Sequence, residues 1–214
     1  MTKARRSFRR EDPENRKESL IRATLALMAA RGPSAATVRA IAQEAGVTQG
    51  MIRHYFTSKE ELVNAAYLAH MQDQTEASEG RGASTDSAQT RLAMMVAASV
   101  TPPVADPRAL SLWAGFMHLV WRDPSMLETH KRTYLHYRNR LQAIIIEAME
   151  EVGRGIDQDG ARSLAIACNA VIDGLWLEGG ALPGSFREGE LARIGLQSVG
   201  AILGLTLKID EVKE

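Results

Sequence analysis

Two groups of residues in this sequence are suited to binding chemistry. The first is the polar segment 48–55, whose hydroxyl, amide and guanidinium groups are of the kind that contact base edges and phosphates. The second is the set of three tryptophans, Trp113, Trp121 and Trp176. The faces of tryptophan rings attract quaternary ammonium groups, more strongly where water is excluded. The elements that hold these two groups therefore decide what the protein binds.

The sequence does not show the motifs or the residue spacing that catalytic sites and metal sites require. The sequence contains no Gly-x-Ser-x-Gly motif and no glycine-rich phosphate loop. His130 and His136 are six residues apart, on different faces of a helix, so these two and His118 are interpreted as helix-surface residues and not as metal ligands. Cys168 lies in an apolar helical stripe, where a buried, unreactive thiol is expected. We predict no catalytic residues, no metal site and no cofactor.

The composition is typical of a globular protein of the cytoplasm. The 214 residues allow one large domain or two small ones, with 45% apolar and 24% charged residues. A single cysteine cannot form an internal disulfide, and neither a signal peptide nor an apolar run of about eighteen residues is visible. We expect a cytoplasmic protein with no membrane partner.

Charge is distributed unevenly, although the formal net charge is zero. Residues 1–60 hold 12 of the 26 Lys and Arg residues and 6 of the 26 Asp and Glu residues, which leaves 14 and 20 for residues 61–214. The balance is therefore +6 in the first part and −6 in the second. This asymmetry favours a basic module joined to an acidic one, although a basic tail at the N-terminus would explain much of it.

Apolar periodicity and helix punctuation predict an all-α fold. No run of alternating apolar and polar residues bounded by turns is present. Asp106-Pro107 and Asp123-Pro124 each place an acceptor at an N-cap and a proline at the first helical position. Ser58 and Glu61 form a capping box for the helix that follows. The expected helices include 14–31, 37–46, 48–55, a helix from 58 into the seventies, a helix ending near 100, 107–121, 124–153, 157–180 and 188–208, with a polar loop or a frayed helix end from 74 to 89.

The segment 37–59, TVRAIAQEAGVTQGMIRHYFTSK, has the pattern of a helix-turn-helix. Gly46 is suited to the left-handed turn between the two short helices. Val38, Ile41, Val47 and Ile52 would form the small core between them. A generic helical hairpin shows the same apolar spacing, so spacing alone leaves both interpretations open.

Residues 14–62 resemble the N-terminal domain of tetracycline-repressor (TetR) family regulators. The resemblance is carried by Ile41-Ala42, Ala45-Gly46-Val47, Gly50, Tyr55-Phe56 and Ser58-Lys59-Glu60. It implies a dimeric, ligand-released transcriptional repressor with nine or ten helices, in which 48–55 is the recognition helix. The residues it places at DNA are Arg39, Thr48, Gln49, Gly50, Arg53, His54, Tyr55 and Lys59.

Several of these residues also allow a simpler interpretation. Arg53 stands where many family members carry a tyrosine, so it contacts either a base or a phosphate. Arg39 and His54 could be exposed without a partner, and Tyr55 could be a packing residue. The basic segment 1–13 either follows a minor groove or is a disordered tail. The predicted divisions are an arm at 1–13, a DNA-binding domain at 14–61 and a helical domain at 62–214.

The second half resembles the C-terminal domain of choline-responsive repressors of glycine-betaine synthesis. The shared features are Trp113, Phe116, the turn at Pro124 and the run 172–177, IDGLWL. The resemblance implies a small-molecule effector, with a quaternary amine as one candidate. The residues expected to bind it are Trp113, Phe116, Met117, Trp121, Asp173 and Trp176. Each aromatic residue could instead fill the core, and an apolar or acyl effector could use the same ring surface without Asp173.

The last two predicted helices could pair with their copies in a homodimer. Their apolar stripes could also be buried within one subunit. Two-fold pairing would place two recognition helices about 34–36 Å apart, on successive grooves of a palindromic operator. A helical adaptor that does not bind DNA is the alternative from another class, and it would show no salt-dependent binding to DNA.

Overall fold

A computed structural model of the chain describes residues 13–79 and 86–209. Over these residues the structure is entirely helical, with one short 3-10 turn at Pro33–Ala35 and no strand. The predicted all-α class is therefore confirmed. The helices are α1 Pro13–Arg31, α2 Val38–Glu44, α3 Gln49–Tyr55, α4 Lys59–Ser78, α5 Ala88–Ser99, α6 Pro107–Val120, α7 Pro124–Glu151, α8 Gln158–Ala181 and α9 Glu190–Leu203.

Side chains cap the helices largely where the sequence predicts it. The carboxylates of Asp106 and Asp123 accept hydrogen bonds from main-chain amides at the starts of α6 and α7. At the start of α4, the amide of Glu61 donates to Ser58 Oγ over 3.0 Å. The return contact differs from a capping box, because the Glu61 carboxylate accepts from the amide and hydroxyl of Thr57 and not from Ser58. These bonds lower the pKa of the Glu61 carboxyl, the hydroxyl bond most of all.

One predicted helix boundary is wrong. The last helix ends at Leu203 and not at Lys208, because Gly204 adopts a left-handed conformation with φ of 65°. The amide of Leu205 then donates to the carbonyl of Gly200 over 2.9 Å, which closes the helix end. The helix predicted to run from 58 into the seventies ends at Ser78, within the polar segment expected to be a loop or a frayed helix end.

The chain divides into two compact units, and the division falls inside α4, after Ala66. The first unit contains α1, α2 and α3, which pack in sequence order. Its core is apolar because the inward-facing side chains of these helices and of the start of α4 are almost fully buried, among them Leu20, Met28, Ile41, Ile52 and Leu62.

The second unit begins at Tyr67 and is built on four helices, α5, α7, α8 and α9, each packed against at least two of the others, with α6 lying against α7 and α8. Side chains from all four helices are buried together in its core, including Leu92, Val96, Leu141, Ile145, Cys168 and Val199. Trp113 of α6 and Trp176 of α8 are far apart in the sequence but belong to the same unit.

One described helix, α8, is long and apolar enough to cross a membrane by length and composition alone, which the sequence analysis did not foresee. Helices that pack in the interior of soluble proteins pass the same test. α8 packs against α6, α7 and α9. Only 28% of its apolar window is buried within this chain, so much of α8 is left for other contacts.

Candidate nucleic-acid interface and ligand cavity

The helix-turn-helix is formed by local hydrogen bonds that the sequence makes available. Thr37 Oγ1 accepts from the amide of Ala40 over 3.1 Å and begins α2. Gly46 has a positive φ of 65°, a conformation that other residues rarely adopt. The turn is completed by the Val47 amide, which donates to the carbonyl of Ala42 over 2.9 Å. The predicted turn between α2 and α3 is therefore confirmed.

The apolar side of this motif holds α3 in place. Ile41 and Ile52 are buried, and Val38 and Val47 are half-buried, as the apolar spacing predicts. Phe56, which ends α3, is also buried and lies under the ammonium group of Lys17, 5.8 Å from the ring centroid. Packing is thus the role of Phe56, and the opposite side of α3 is left to solvent.

Most of the residues predicted to contact DNA are exposed. Arg39 and five residues of the recognition segment are exposed: Thr48, Gln49, Gly50, Arg53 and His54. Tyr55 and Lys59 are half-buried. The ring of His54 meets the ring of Tyr55 edge-on at 5.0 Å, which restrains both side chains. The basic arm at 1–13 lies outside the residues whose surroundings are described.

Two residues at the start of α3, Thr48 and Gly50, are not explained by the fold. Thr48 occupies the N-cap of α3, but its side chain makes no capping hydrogen bond. Gly50 is helical and does not need to be glycine for space, because an added Cβ would meet only Thr48 Oγ1, at 3.8 Å. A hydroxyl without a capping role and a missing side chain both suit a helix whose start approaches another surface closely.

The second unit contains a cavity of about 530 Å³. Its wall includes residues of α4, α6, α7 and α8, so it draws on helices far apart in the sequence. Trp113, Asp173 and Trp176 line it, as predicted for effector contacts. Sequence reasoning missed several other lining residues, of which the polar and aromatic ones include His70, Gln74, His130, Tyr134 and Tyr137.

The three remaining effector candidates lie elsewhere. Phe116 is fully buried and its ring lies 4.7 Å from that of Tyr67, so it packs behind the wall. Met117 is half-buried and is not among the lining residues. Trp121 caps the C-terminus of α6 and its side chain is 76% exposed. The structure thus does not bring these three together with Trp113 and Trp176.

The two cavity tryptophans form a fixed aromatic corner. The ring centroids of Trp113 and Trp176 are 5.6 Å apart, with an angle of 75° between the ring planes. The indole Nε1 of Trp176 donates to the carbonyl of Val104 over 2.8 Å, which sets the orientation of this ring. Such a corner presents ring surface in two directions to a cation or to an apolar group.

Asp173 is held in place by two neighbours. Its Oδ2 accepts from the hydroxyl of Tyr134 over 2.5 Å and from Nδ2 of Asn169 over 2.8 Å. Burial raises the pKa of the Asp173 carboxyl, and these two hydrogen bonds oppose that rise. The pKa of Tyr134 is raised to about 12, chiefly by burial, so Tyr134 remains a neutral donor. Asp173 is therefore a positioned carboxyl group in a largely apolar cavity.

Two histidines line the cavity in neutral form. Burial lowers the pKa of His70 to about 4. Burial also lowers the pKa of His130, whose Nδ1 lies 2.6 Å from the hydroxyl of Tyr67. The interpretation of His130 as a surface residue is therefore wrong, because α7 turns this side of the helix towards the cavity. His118 and His136 are exposed, as predicted.

The missed residues of α7 do have a signal in the sequence. His130, Tyr134 and Tyr137 follow one another at intervals of four and three residues, which places them on one face of a helix. In the sequence analysis the histidines were tested only as metal ligands, so that His130 was not recognised as sharing a helix face with Tyr134 and Tyr137. Among the described residues, no cluster of three or more His, Cys, Asp or Glu suited to a metal ion is present.

Cys168 is remote from any reactive arrangement. Its side chain is fully buried among the core residues of α5, α7, α8 and α9. Burial raises the pKa of its thiol to about 11, so the thiolate is scarce at neutral pH. This agrees with the prediction of a structural cysteine.

Comparison with known proteins agrees with this two-unit arrangement. Residues 20–66 match the family model of bacterial regulatory proteins of the TetR family. Residues 88–204 match the model of the C-terminal domain of BetI-type transcriptional repressors. The first match contains the whole helix-turn-helix, and the second contains α5 to α9.

Relatives and solved structures extend the similarity over most of the chain. The regulator BetI of Proteus mirabilis is 32% identical over 165 residues, which cover 76% of this chain and 78% of that protein. A transcriptional regulator of Pseudomonas aeruginosa PAO1 has 35% identity and a TM-score of 0.79, covering 91% of this chain and 93% of the other. A regulator from Saccharomonospora viridis, solved in complex with choline, shares the fold with a TM-score of 0.69 and 18% identity, covering 85% of this chain and 94% of the other.

These matches confirm the resemblance on which the sequence analysis relied. The TetR family is a family of transcriptional regulators and not of enzymes, in agreement with the absence of a predicted catalytic site. The chain belongs to the TetR family of transcriptional regulators and has a C-terminal domain of the BetI type.

Proposed function

We propose that this regulator is a cytoplasmic homodimeric repressor that binds a palindromic operator and is released by a small organic cation. The observation that carries the effector class is the cavity, in which one positioned carboxyl, Asp173, lies with a fixed corner of two tryptophans. No lysine or arginine is among its described lining residues. A carboxylate ligand would therefore meet Asp173 without a compensating positive charge, which disfavours an acyl effector.

The proposed DNA contacts are the predicted ones, Arg39 together with Lys59 and residues of segment 48–55. Exposed Thr48, Gln49 and Arg53 would reach base edges in the major groove. Arg39, His54, Tyr55 and Lys59 would contact phosphates and set the position of α3. The exposure of most of this set and the match of residues 20–66 to the family support the proposal.

The proposed dimer forms through α8 and α9. Both helices leave apolar or small side chains exposed, among them Ile166 and Ala170 of α8 and Ala201 and Ile202 of α9. Small residues allow helices to approach closely, and the exposed isoleucines supply apolar area. A dimer would account for the large unburied part of α8.

The proposed coupling between ligand and DNA runs along α4. His70, Met71 and Gln74 of α4 line the cavity, and the residues of the same helix up to Ala66 belong to the unit that contains α2 and α3. A ligand that displaces α4 would favour dimers whose two recognition helices no longer match successive grooves. A coupling of about 1–3 kcal/mol would lower operator affinity about 5- to 150-fold.

A titration of an operator complex tests this function. The operator is selected from random duplexes with the purified protein and labelled for fluorescence anisotropy. We expect a two-fold symmetric site, and release on addition of organic amines, choline included, but not of their neutral alcohol analogues. Release by fatty-acyl compounds alone would favour the acyl effector. Binding without dependence on salt or sequence would favour a helical adaptor over a repressor.

A further inference from the structure

The cavity wall contains a buried hydrogen-bond acceptor for which the described residues supply no donor. Oε1 of Gln74 is buried and has no hydrogen-bond partner among the described residues. Gln74 belongs to α4 and lines the cavity. A buried acceptor without a donor is costly, and a ligand that brings the donor removes this cost.

The hydroxyl groups of the wall add acceptors and not donors. Thr75, Ser78 and Ser99 line the cavity, and each donates to a main-chain carbonyl one turn earlier, over 3.0, 2.7 and 2.7 Å. A hydroxyl has one proton, so each of these oxygens offers a ligand only its lone pairs. Tyr134 likewise gives its proton to Asp173.

These features favour a ligand that carries hydrogen-bond donors as well as a positive charge. The aromatic corner of Trp113 and Trp176 accepts any organic cation, including one without N–H groups. Gln74 and Asp173 are satisfied better by a ligand that donates hydrogen bonds. A cavity of about 530 Å³ also leaves room for a ligand with a second polar end.

We propose that the effector is a protonated amine that keeps its N–H groups and carries a second hydrogen-bond donor, with Asp173 and Gln74 as the acceptors. This inference rests on the proposed function, in which the cavity takes an organic cation. A fully N-methylated ammonium group fills the aromatic corner but leaves the acceptors of the wall without donors. Such an ammonium is therefore the weaker ligand of this cavity.

Matched ligands separate the two kinds of cation. Binding of tyramine, N,N,N-trimethyltyramine and O-methyltyramine to the full chain is measured by isothermal titration calorimetry. A second, aliphatic comparison uses 1,8-diaminooctane and its bis-trimethylammonium derivative. We expect each N- or O-methylated compound to bind at least about tenfold more weakly than its parent, since each loses hydrogen-bond donors.

Variants of α4 identify the acceptor. Gln74→Leu is expected to weaken binding of tyramine and diaminooctane about tenfold and to leave binding of the trimethylated compounds unchanged. Gln72→Leu is the control, because Gln72 is exposed on the same helix and does not line this cavity. Thermal melting of both variants without ligand shows that they are folded.

The outcomes distinguish this inference from the proposed function. If the trimethylated compounds bind as tightly as their parents, or if Gln74→Leu weakens all ligands equally, the N–H inference is overturned while the cation effector stands. If the neutral alcohol tyrosol binds as well as tyramine, or if no amine of either series binds, the proposed cation effector is overturned together with the inference.

Discussion

The hydroxyl of Tyr134 donates to Oδ2 of Asp173 over 2.5 Å, which joins α7 to α8 at the cavity wall. The bond links Tyr134, which the sequence did not predict as a cavity residue, to Asp173, which it did. Asp173 is half-buried, and desolvation raises the pKa of its carboxyl, so the folded protein holds the proton of this group more firmly than the unfolded chain does. As pH rises from the ordinary pKa of an aspartate to the raised pKa of Asp173, ionisation of this carboxyl therefore lowers the stability of the folded protein.

Replacing Asp173 should weaken ligand binding without lowering the stability of the protein. Asp173→Asn keeps an oxygen for the Tyr134 hydroxyl and removes the buried negative charge. We expect an unchanged or higher melting temperature at pH 7.5 and a loss of organic-cation binding of about tenfold or more. Glu178→Gln is the control, because Glu178 is exposed and does not line the cavity. A lower melting temperature with unchanged binding would contradict the role of Asp173 as counter-charge.

The close approach of α3 to DNA can be tested at Gly50. An added Cβ would meet only Thr48 Oγ1, at 3.8 Å, so the fold tolerates alanine. Gly50→Ala should leave the free energy of unfolding unchanged or raise it by up to about 1 kcal/mol, because alanine favours helix over glycine. Operator affinity should fall about tenfold, since the methyl group occupies the space between helix and DNA. Unfolding in urea and fluorescence anisotropy measure the two effects, and equal operator binding would argue against a close approach.

His70 predicts a pH dependence of stability. Its pKa is about 4 in the folded state because it is buried, whereas an unfolded chain has the ordinary value of 6.5. Between these values the unfolded chain takes up the proton and the folded protein does not, so stability is lost as pH falls from 6.5 towards 4. The expected loss from this residue is up to about 3 kcal/mol.

The contribution of His70 is isolated by comparing variants. His70→Gln should reduce the difference in unfolding free energy between pH 7 and pH 4.5, measured in urea. His118→Gln, at an exposed position, should not. Because Asp173 acts in the opposite direction in all three proteins, the comparison removes its effect. The same pH dependence in His70→Gln as in the parent chain would show that His70 does not carry it.

The dimer proposal depends on the exposed apolar side chains of the last two helices. Ile166 of α8 is 38% exposed, and a glutamate there would place charge in the proposed interface. We expect Ile166→Glu to convert dimers to monomers in analytical ultracentrifugation at micromolar concentration. Leu135→Glu provides a matched control on α7, since Leu135 is 41% exposed. If the Ile166 variant stays dimeric, or both variants dissociate, α8 is not the specific interface.

The helix-turn-helix could be predicted from the sequence because its signals are local. Thr37 begins α2, Gly46 makes the turn, and neighbouring residues complete the main-chain hydrogen bonds of the turn. The proline-started helices α6 and α7 could be predicted for the same reason. Spacing did not foresee the early end of α9, since the left-handed Gly204 stops the helix before its apolar pattern ends.

The cavity could be predicted only in part, because it depends on which helices converge. Trp113 and Trp121 have the same side chain and lie on the same segment of sequence. Trp113 faces α8 and meets Trp176, whereas Trp121 ends α6 and stays exposed. The spacing of His130 and Tyr134 places them on one face of α7, but only long-range packing decides that this face lines the cavity.

The most direct test of a DNA-reading regulator is the operator affinity of a Gln49→Ala, Arg53→Ala double variant, measured beside the parent chain at two salt concentrations. Both residues are exposed on α3, so the variant should keep its melting temperature. We expect the parent to prefer its selected operator over a scrambled duplex, with affinity falling as salt rises. The double variant should lose about 1–3 kcal/mol for each base contact removed, and with it most of that preference. Equal preference for the operator in both proteins would contradict recognition by α3.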